Sequence, residues 1–247
     1  AGADAQLISA VDIDLLGWGG DDPFHGHLLG ANGDKLKRVT QKALITIIPG
    51  YYALDQKRRR RVLLGRGATD LIAVALAGAL GTDCLFCKDG GAVYAFDPRW
   101  AEPGQRPKQI SHLSYDQAYD FSSSGHGFLM PQSLLLAKQQ GVALYFVPSP
   151  AAPDAWQIGA AISGQAAPDG IFVGVQTEAY LNAVSCVCVT VTEWGQERLN
   201  GQLASLARSA QPYAVRATSG QTKIYLSPAA VAPFMDALAK EFGLLVP

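Results

Sequence analysis

The sequence predicts a layered α/β domain with a mainly parallel sheet, followed by a smaller ferredoxin-like α+β module. Three observations carry this. Over residues 1–150, short apolar or β-branched runs alternate with stretches of helical spacing. Gly-rich turns follow several of those runs, as strand-to-helix turns do in open sheets. A Pro- and Gly-rich stretch then precedes a strand–helix–strand–strand–helix pattern over 181–247.

Taken in order, residues 6–11 form a short apolar segment, and 17–33 read as a Gly-, Asp- and His-rich loop. Charges at helical spacing predict a helix over 34–43. The β-branched run 44–48, ended by Pro49-Gly50, predicts a buried strand meeting a loop. Five cations, Lys57 to Arg61, sit in an expected hairpin and predict a solvated or partner-pairing turn. Strand 62–64 runs into Gly65-Arg66-Gly67. A helix begins near Thr69 or Asp70, either of which can cap it by accepting from a first-turn amide. A strand follows at 83–87, helices at 115–121 and 133–139, and a strand at 142–147. Prolines 148, 150, 153 and 168, with Gly164 and Gly170, mark a boundary. The expected division is therefore a domain over 1–150, a linker over 151–180 and a module over 181–247. In the module, strands are expected at 184–191, 213–217 and 222–226, helices at 196–209 and 229–242, and a closing strand at 244–246. Both faces of 184–191 are largely apolar, so cover is expected on each side.

Composition narrows the function. Apolar residues make up 49% and charged residues 17%, enough for a packed core and too little charge for a disordered chain. The net charge of −1 gives no field favouring nucleic acid or an anionic membrane. No apolar run approaches the ~18 residues of a spanning helix. The first residues, Ala1-Gly2-Ala3-Asp4, show no signal-peptide pattern, and four cysteines are ordinary for a reduced compartment, so the cytoplasm is expected. Cys84/Cys87 and Cys186/Cys188 lie in strand-like runs, where residues 84 and 87 point to opposite faces, so no metal site is expected there. His25 and His27, beside Asp21 and Asp22, read as solvated loop residues.

Two segments carry candidate chemistry. In Gly65-Arg66-Gly67-Ala68-Thr69-Asp70, glycines before a helix let the backbone approach an anion, and the helix N-terminus offers amides and partial positive charge. Arg66 can pair bidentately with a carboxylate or phosphate. A plain strand–helix turn, with Arg66 in solvent or paired to Asp70, fits the same residues. The run Lys88-Asp89-Gly90-Gly91-Ala92-Val93-Tyr94-Ala95-Phe96-Asp97-Pro98-Arg99 follows a strand, at the end where open α/β sheets bind ligands. Tyr94 can lie against a flat base, and Lys88 or Arg99 can neutralise phosphate. A Gly-rich surface loop ending in a Pro turn is the other reading. Both segments are expected to face one cleft.

In family order and with family-like spacing, five blocks resemble the aspartokinases. GRGATDLIAVALAGAL (65–80) looks like their GRGGSD segment and helix, and KDGGAVYAFDPR (88–99) like TDVDGVYTADPR. LSYDQA (113–118) resembles LSYEEA, GHGFLMPQSLLLA (125–137) is similar to GAKVLHPRAVELA, and IIPGYYA (47–53) sits where VVTGFIG does. The resemblance covers about 1–150 well, and 180–247 more loosely as one ACT-type unit. It implies an amino-acid-kinase sheet and phosphoryl transfer from ATP, with Mg²⁺, to the β-carboxylate of aspartate. It places Arg66 on the substrate α-carboxylate, with Gly67, Thr69 and Asp70 in the same turn. Lys88, Asp89, Tyr94, Asp97 and Arg99 fall in the nucleotide loop. It further implies an amino-acid effector at the ACT-like module, and a homo-oligomer or partner subunit supplying a second module, unless 151–180 does so. Departures are specific. The family's KFGG motif lies upstream of Ala1, its GAKVLHPR lysine falls on Gly127, and Lys88 and Gly91 replace a loop Thr and Asp. Two functions follow: an aspartokinase that needs groups from elsewhere, or a non-catalytic regulatory or scaffold subunit binding amino acid or nucleotide.

Overall fold

The computed structural model describes residues 2–88, 91–126, 128–149, 157–165, 170–180, 184–194, 199–218 and 221–246. They form two compact units, one of residues 1–85 with 129–144, the other of 86–128 with 145–247.

In the first unit, β1 (Ala5–Leu7) pairs in parallel with β4 (Ile45–Ile47). A second sheet has the order β3-β2-β5-β6, from β2 (Leu16–Trp18), β3 (His27–Gly30), β5 (Tyr52–Asp55) and β6 (Arg61–Leu63). Its central β2/β5 pair is parallel and its outer pairs antiparallel. Helices α1 (Gly33–Thr40) and α2 (Ala68–Leu80) share with these strands a core of Ile8, Ile13, Leu15, Leu36, Val62 and Ile72. Asn32 caps α1 by accepting from the Lys35 amide at 3.0 Å.

Residues 17–33 are thus not one continuous loop: β2 and β3 lie there, and the loop proper is 19–26. Gly17, Gly19 and Gly26 are packing contacts: a Cβ on Gly26, for example, would come within 2.4 Å of Val62. The cation run does form a hairpin turn, between β5 and β6. It pairs within the chain: Arg58 bonds the Gly20 carbonyl and Asp21, and Arg60 donates to the Gly20 carbonyl at 3.1 Å. Beneath the turn, the buried Asp55 carboxylate accepts the amides of Arg58 (2.8 Å), Lys57 (2.9 Å) and Gly19 (3.3 Å). These bonds, that from Arg58 foremost, hold its carboxyl below the usual range against the opposing effect of burial. The strand expected over 44–48 forms, but Ile45 and Ile47 are exposed rather than buried.

β7 (Cys84–Lys88) and β11 (Leu144–Pro148) start in the first unit and end in the second. They join β10 (His112–Ser114) and β12 (Ala160–Ser163) in a sheet of order β10-β12-β11-β7, with β10/β12 parallel. Along β7, Cys84 and Phe86 are buried while Leu85 and Cys87 are exposed, so the two cysteines do face opposite ways. A ribbon of β8 (Val93–Tyr94) and β9 (Gln109–Ile110) follows. Helix α3 (Tyr115–Phe121) starts in a capping box between Ser114 and Gln117, and a widened turn over 122–126 breaks at Gly125, φ 101°. α4 (Pro131–Gln140) belongs to the first unit.

The C-terminal module comprises β13 (Gly170–Tyr180), β14 (Val184–Trp194), α5 (Leu199–Ser209), β15 (Ala214–Thr218), β16 (Gln221–Leu226) and α6 (Pro228–Glu241). Its antiparallel order β13-β14-β16-β15 is ferredoxin-like, with β13 in the fourth position. The stretch 151–180 therefore carries two strands, β12 and β13. Its prolines and glycines outweighed the apolar Ile171–Val175 run in the sequence reading. Gly174 is again a packing contact, since a Cβ there would lie 2.2 Å from the Ser124 carbonyl oxygen. Residues 244–246 do not close the module. They run beside 106–108, with Lys108 donating to the Leu244 carbonyl at 2.7 Å and Val246 to that of Arg106 at 2.8 Å. Val189, Val191, Ile224, Phe234, Met235 and Leu238 form the core on the helix side. On the other side α3 and the 122–126 turn pack on β13 and β14, so the expected second cover comes from this chain.

Candidate functional site

The glycine turn leaves β6 at Leu63 and enters α2 at Ala68. Gly65 (φ 86°) and Gly67 (φ 83°) are both left-handed, a conformation that lets a tight turn precede the helix without a Cβ clash. Gly67 occupies the cap position, so no side chain caps α2. Thr69 and Asp70, expected as caps, lie instead within the first turn. Asp70 there complements the helix dipole, and its charge, second to burial, helps raise the Cys84 thiol to about 11. Arg66 and Thr69 are exposed. The Pro49-Gly50 loop is held against Thr69: a Cβ on Gly50 would lie 2.5 Å from Thr69 Oγ1. The uncapped first turn, flanked by an exposed guanidinium, can receive a carboxylate or phosphate.

Beside it, β3, α2 and α4 enclose a groove of about 500 Å³, lined by His27, Leu64, Gly65, Leu71 and Met130 among others. No motif in the sequence marks this groove. Its signal was the pairing of Leu71 with Ala75 and of Leu135 with Gln139 at helical i, i+4 spacing.

The nucleotide-loop candidates lie in the second unit. Lys88 ends β7, donates Nζ to the Phe128 carbonyl at 2.9 Å and sits 5.5 Å from the Phe86 ring centre. Gly91 is left-handed (φ 56°) and pressed on the end of β11, where a Cβ would meet Pro148 N at 2.1 Å. Tyr94 is half-buried, opposite Gln109. Asp97 caps the turn Pro98–Trp100 through the Arg99 amide (2.9 Å) and accepts Nε of Arg99 at 2.9 Å. That pairing raises the Arg99 pKa while the guanidinium stays exposed. The structure thus brings Asp97 and Arg99 together and gives Lys88 a separate partner. Asp89 and Gly127 lie outside the described residues, as do the side chains of Cys186 and Cys188.

Among the described residues no group of three or more His, Cys, Asp or Glu is placed to hold a metal ion, and His25 pairs with Asp22 at 2.6 Å. No described helix is long and apolar enough to cross a membrane.

The model of the amino acid kinase family matches residues 1–147. The chain belongs to the amino acid kinase family. Curated relatives within it are aspartokinases. One from Helicobacter pylori is 39% identical over 112 residues, 44% of this chain and 27% of that protein. One from a Bacillus species is 28% identical over 138 residues, 53% of this chain and 33% of that protein. The matched segments therefore span a third or less of these relatives. Escherichia coli aspartokinase III, solved in complex with aspartate and ADP, shares the fold with a TM-score of 0.58 at 16% identity, covering 98% of this chain and 55% of that one. Aspartate kinase from Clostridium acetobutylicum gives a TM-score of 0.66 at 12% identity, covering 85% and 66%. The likeness to aspartokinase III takes in both the α/β part and the ferredoxin-like C-terminal module of this chain.

Proposed function

We propose that the chain is the aspartate- and nucleotide-binding part of an aspartokinase-type phosphotransferase, acting in the cytoplasm on the aspartate β-carboxylate. The carrying observation is the uncapped start of α2, with left-handed Gly67 and exposed Arg66 beside it. In this reading Arg66 pairs with the substrate α-carboxylate, while the first-turn amides beside Gly67 and Thr69 and the helix dipole complement it. Asp70 orients the turn. Lys88, Asp89, Tyr94, Asp97 and Arg99 form the nucleotide loop. Both partners are anionic, so the protein's work is positioning and neutralisation of charge. A Mg²⁺ ion brought in with the nucleotide would be held mainly by phosphate oxygens and water, with Asp97 or Asp89 as the carboxylate that would complete its shell. Bound with ATP, it would screen the transferring phosphate. The 1–150 part is then a partial kinase domain, and the ACT-like module, extended by β13, takes an amino-acid effector.

The alternative, a binding subunit without turnover, draws on one observation. Lys88 and Arg99 already have partners in Phe128 and Asp97, which leaves less free positive charge for a transferring phosphate.

Isothermal titration of aspartate, with and without ADP, into wild type and the Arg66→Ala and Arg66→Lys variants tests the site. Breaking a desolvated charge pair costs roughly 2–5 kcal/mol, against under about 1 kcal/mol for an exposed contact. At least about thirtyfold weaker binding is expected in both variants. Wild-type affinity retained within about threefold would remove Arg66 from the site.

A further inference from the structure

Of the four arginines in the β5–β6 hairpin, three have partners. Arg58 and Arg60 bond the Gly20–Asp21 segment, and the Arg61 guanidinium lies 5.2 Å from the Tyr52 ring centre. Arg59 has no partner for its side chain among the described residues. Its backbone is left-handed, φ 53°, a conformation that disfavours any side chain and that glycine adopts freely. The turn fixes it there: the Arg59 amide donates to the Asp55 carbonyl at 3.0 Å, and the Asp55 amide to the Arg60 carbonyl at 2.7 Å. A guanidinium therefore stands where glycine would fit the turn better. Backbone held against its preference in this way is concentrated at ligand sites.

Arg59 lines an open cleft of about 780 Å³ together with Asp14, Leu29, Asn32, Lys35 and Gln56. The cleft lies wholly within the first unit, between the hairpin turn, the end of β3 and the start of α1. Asp14 and Arg59 are two of the four described non-glycine residues with positive φ, and both line it. Asp14 pairs with Lys35 at 3.1 Å, and Lys35 Nζ is anchored further by the Val11 carbonyl at 3.3 Å. Asn32 uses its side-chain oxygen to cap α1, which leaves its N–H groups to donate outward. The Gln56 side chain has no partner among the described residues.

We propose that this cleft binds a small hydroxylated oxyanion, with Arg59 on its phosphate or carboxylate group. Arg59 and Lys35 against Asp14 leave one positive charge, so the ligand is anionic. A planar guanidinium takes two oxygens of either group side by side. The Asp14–Lys35 pair selects the rest of the ligand. Lys35 already neutralises that carboxylate, so a second ammonium gains little there, whereas a hydroxyl can donate to its other oxygen. Asn32 and Gln56 supply further donors, and Leu29 an apolar wall. The volume suits an organic molecule rather than a bare ion, since small-molecule sites span about 300–1,000 Å³. None of these residues belongs to the Gly65–Asp70 turn, so the proposal stands apart from the kinase reading.

Isothermal titration of the whole chain at low ionic strength tests it, with glucose 6-phosphate, tartrate, inorganic phosphate and glucose as probes. One of the two organic anions is expected to bind saturably, and the tighter of them identifies the phosphate or the carboxylate as the recognised group. Glucose should not bind, and inorganic phosphate should bind more weakly than the organic anion. Arg59→Gly is the deciding variant. Glycine suits φ 53°, so its Tm should equal or exceed that of wild type, while affinity should fall at least about tenfold with the charged hydrogen bonds. Lys57→Ala, in the same run but outside the cleft, and Arg66→Ala, in the glycine turn, should bind as wild type. No saturable binding of either organic anion at millimolar concentration would overturn the proposal, and a preference for inorganic phosphate over both would overturn the ligand class. Binding that Arg59→Gly leaves within about threefold, or that Arg66→Ala abolishes, would place the anion elsewhere and overturn it equally.

Discussion

Replacing Gly174 by alanine should loosen the second unit by a calculable amount. The added methyl would lie 2.2 Å from the Ser124 carbonyl oxygen and 2.4 Å from its hydroxyl, roughly 1 Å inside van der Waals contact. Neither atom can easily give way. Ser124 is buried, and its Oγ is tied to the Phe121 carbonyl at 2.7 Å. β13 would have to move off the 122–126 turn, or the turn off the strand. Overpacking of this kind costs about 1–3 kcal/mol, offset by roughly 0.5 kcal/mol because alanine loses less backbone entropy than glycine. For a chain of this length each kcal/mol moves the midpoint by about 2–4 °C, so Tm should fall by roughly 1–10 °C. Gly201→Ala is the control. It lies in α5 with nothing within 4 Å of a Cβ, so helix propensity alone should raise Tm by about 1–3 °C. Calorimetry of both variants in one buffer decides the matter. A Gly174→Ala midpoint within 1 °C of wild type would show that the turn and strand are not locked together as described.

Two further outcomes follow from ionisable groups. Cys84 is buried with its thiol raised to about 11, whereas Cys87 on the same strand is exposed. Iodoacetamide at pH 8 should therefore label the Cys87 sulfur and spare Cys84, read by peptide mass spectrometry. The unfolded thiol ionises near 9, so native stability from Cys84 should decline as pH rises from about 9 to 11, and Cys84→Ser should lose that slope in alkaline urea titrations. The lowered Asp55 carboxyl acts at the acid end. Its contribution is present above the unfolded value near 4 and lost as pH falls through the depressed folded value. Asp55→Asn should be less stable than wild type at pH 7, with the gap narrowing toward pH 2. A constant gap in acid titrations followed by circular dichroism would contradict that account.

The sequence was most legible where side-chain periodicity and turn chemistry agree. Helix α3 could be read from Ser114 and Gln117, whose reciprocal bonds form the capping box. The alternation of Cys84 and Cys87 across β7 followed from strand geometry alone. The Gly65–Asp70 turn was visible because two glycines precede an apolar helix. Its cap was misplaced, because Thr69 and Asp70 are good cap residues and nothing local shows that a left-handed Gly67 takes that role. Strands β2, β3 and β13 were missed for one shared reason. Gly17 and Gly26, like Gly164 and Gly170 before β13, look like turn residues, whereas the close approach by a distant segment at Gly17, Gly26 and Gly174 is a tertiary fact. The exposure of Ile45 and Ile47 was equally hidden, since a β-branched run reads as buried whichever face is covered. How the two candidate segments relate to a ligand rests on the family resemblance, because local sequence fixes each turn and not the distance between turns.

The place of β13 in the C-terminal sheet has a consequence for dissection. The eleven-residue β14 is flanked on one side by a strand that precedes it in the chain, and on the other by β16. A fragment cut at 181, where composition suggests a boundary, would strip that flank and leave a long row of unpaired amides and carbonyls along a strand of mostly apolar sequence. Such an edge recruits whatever strand is available, including its own twin. A separable C-terminal module must carry its upstream strand, so its smallest self-contained form starts no later than Gly170. By the same logic, the 122–126 turn that seats Gly174 becomes an exposed socket once the module is removed.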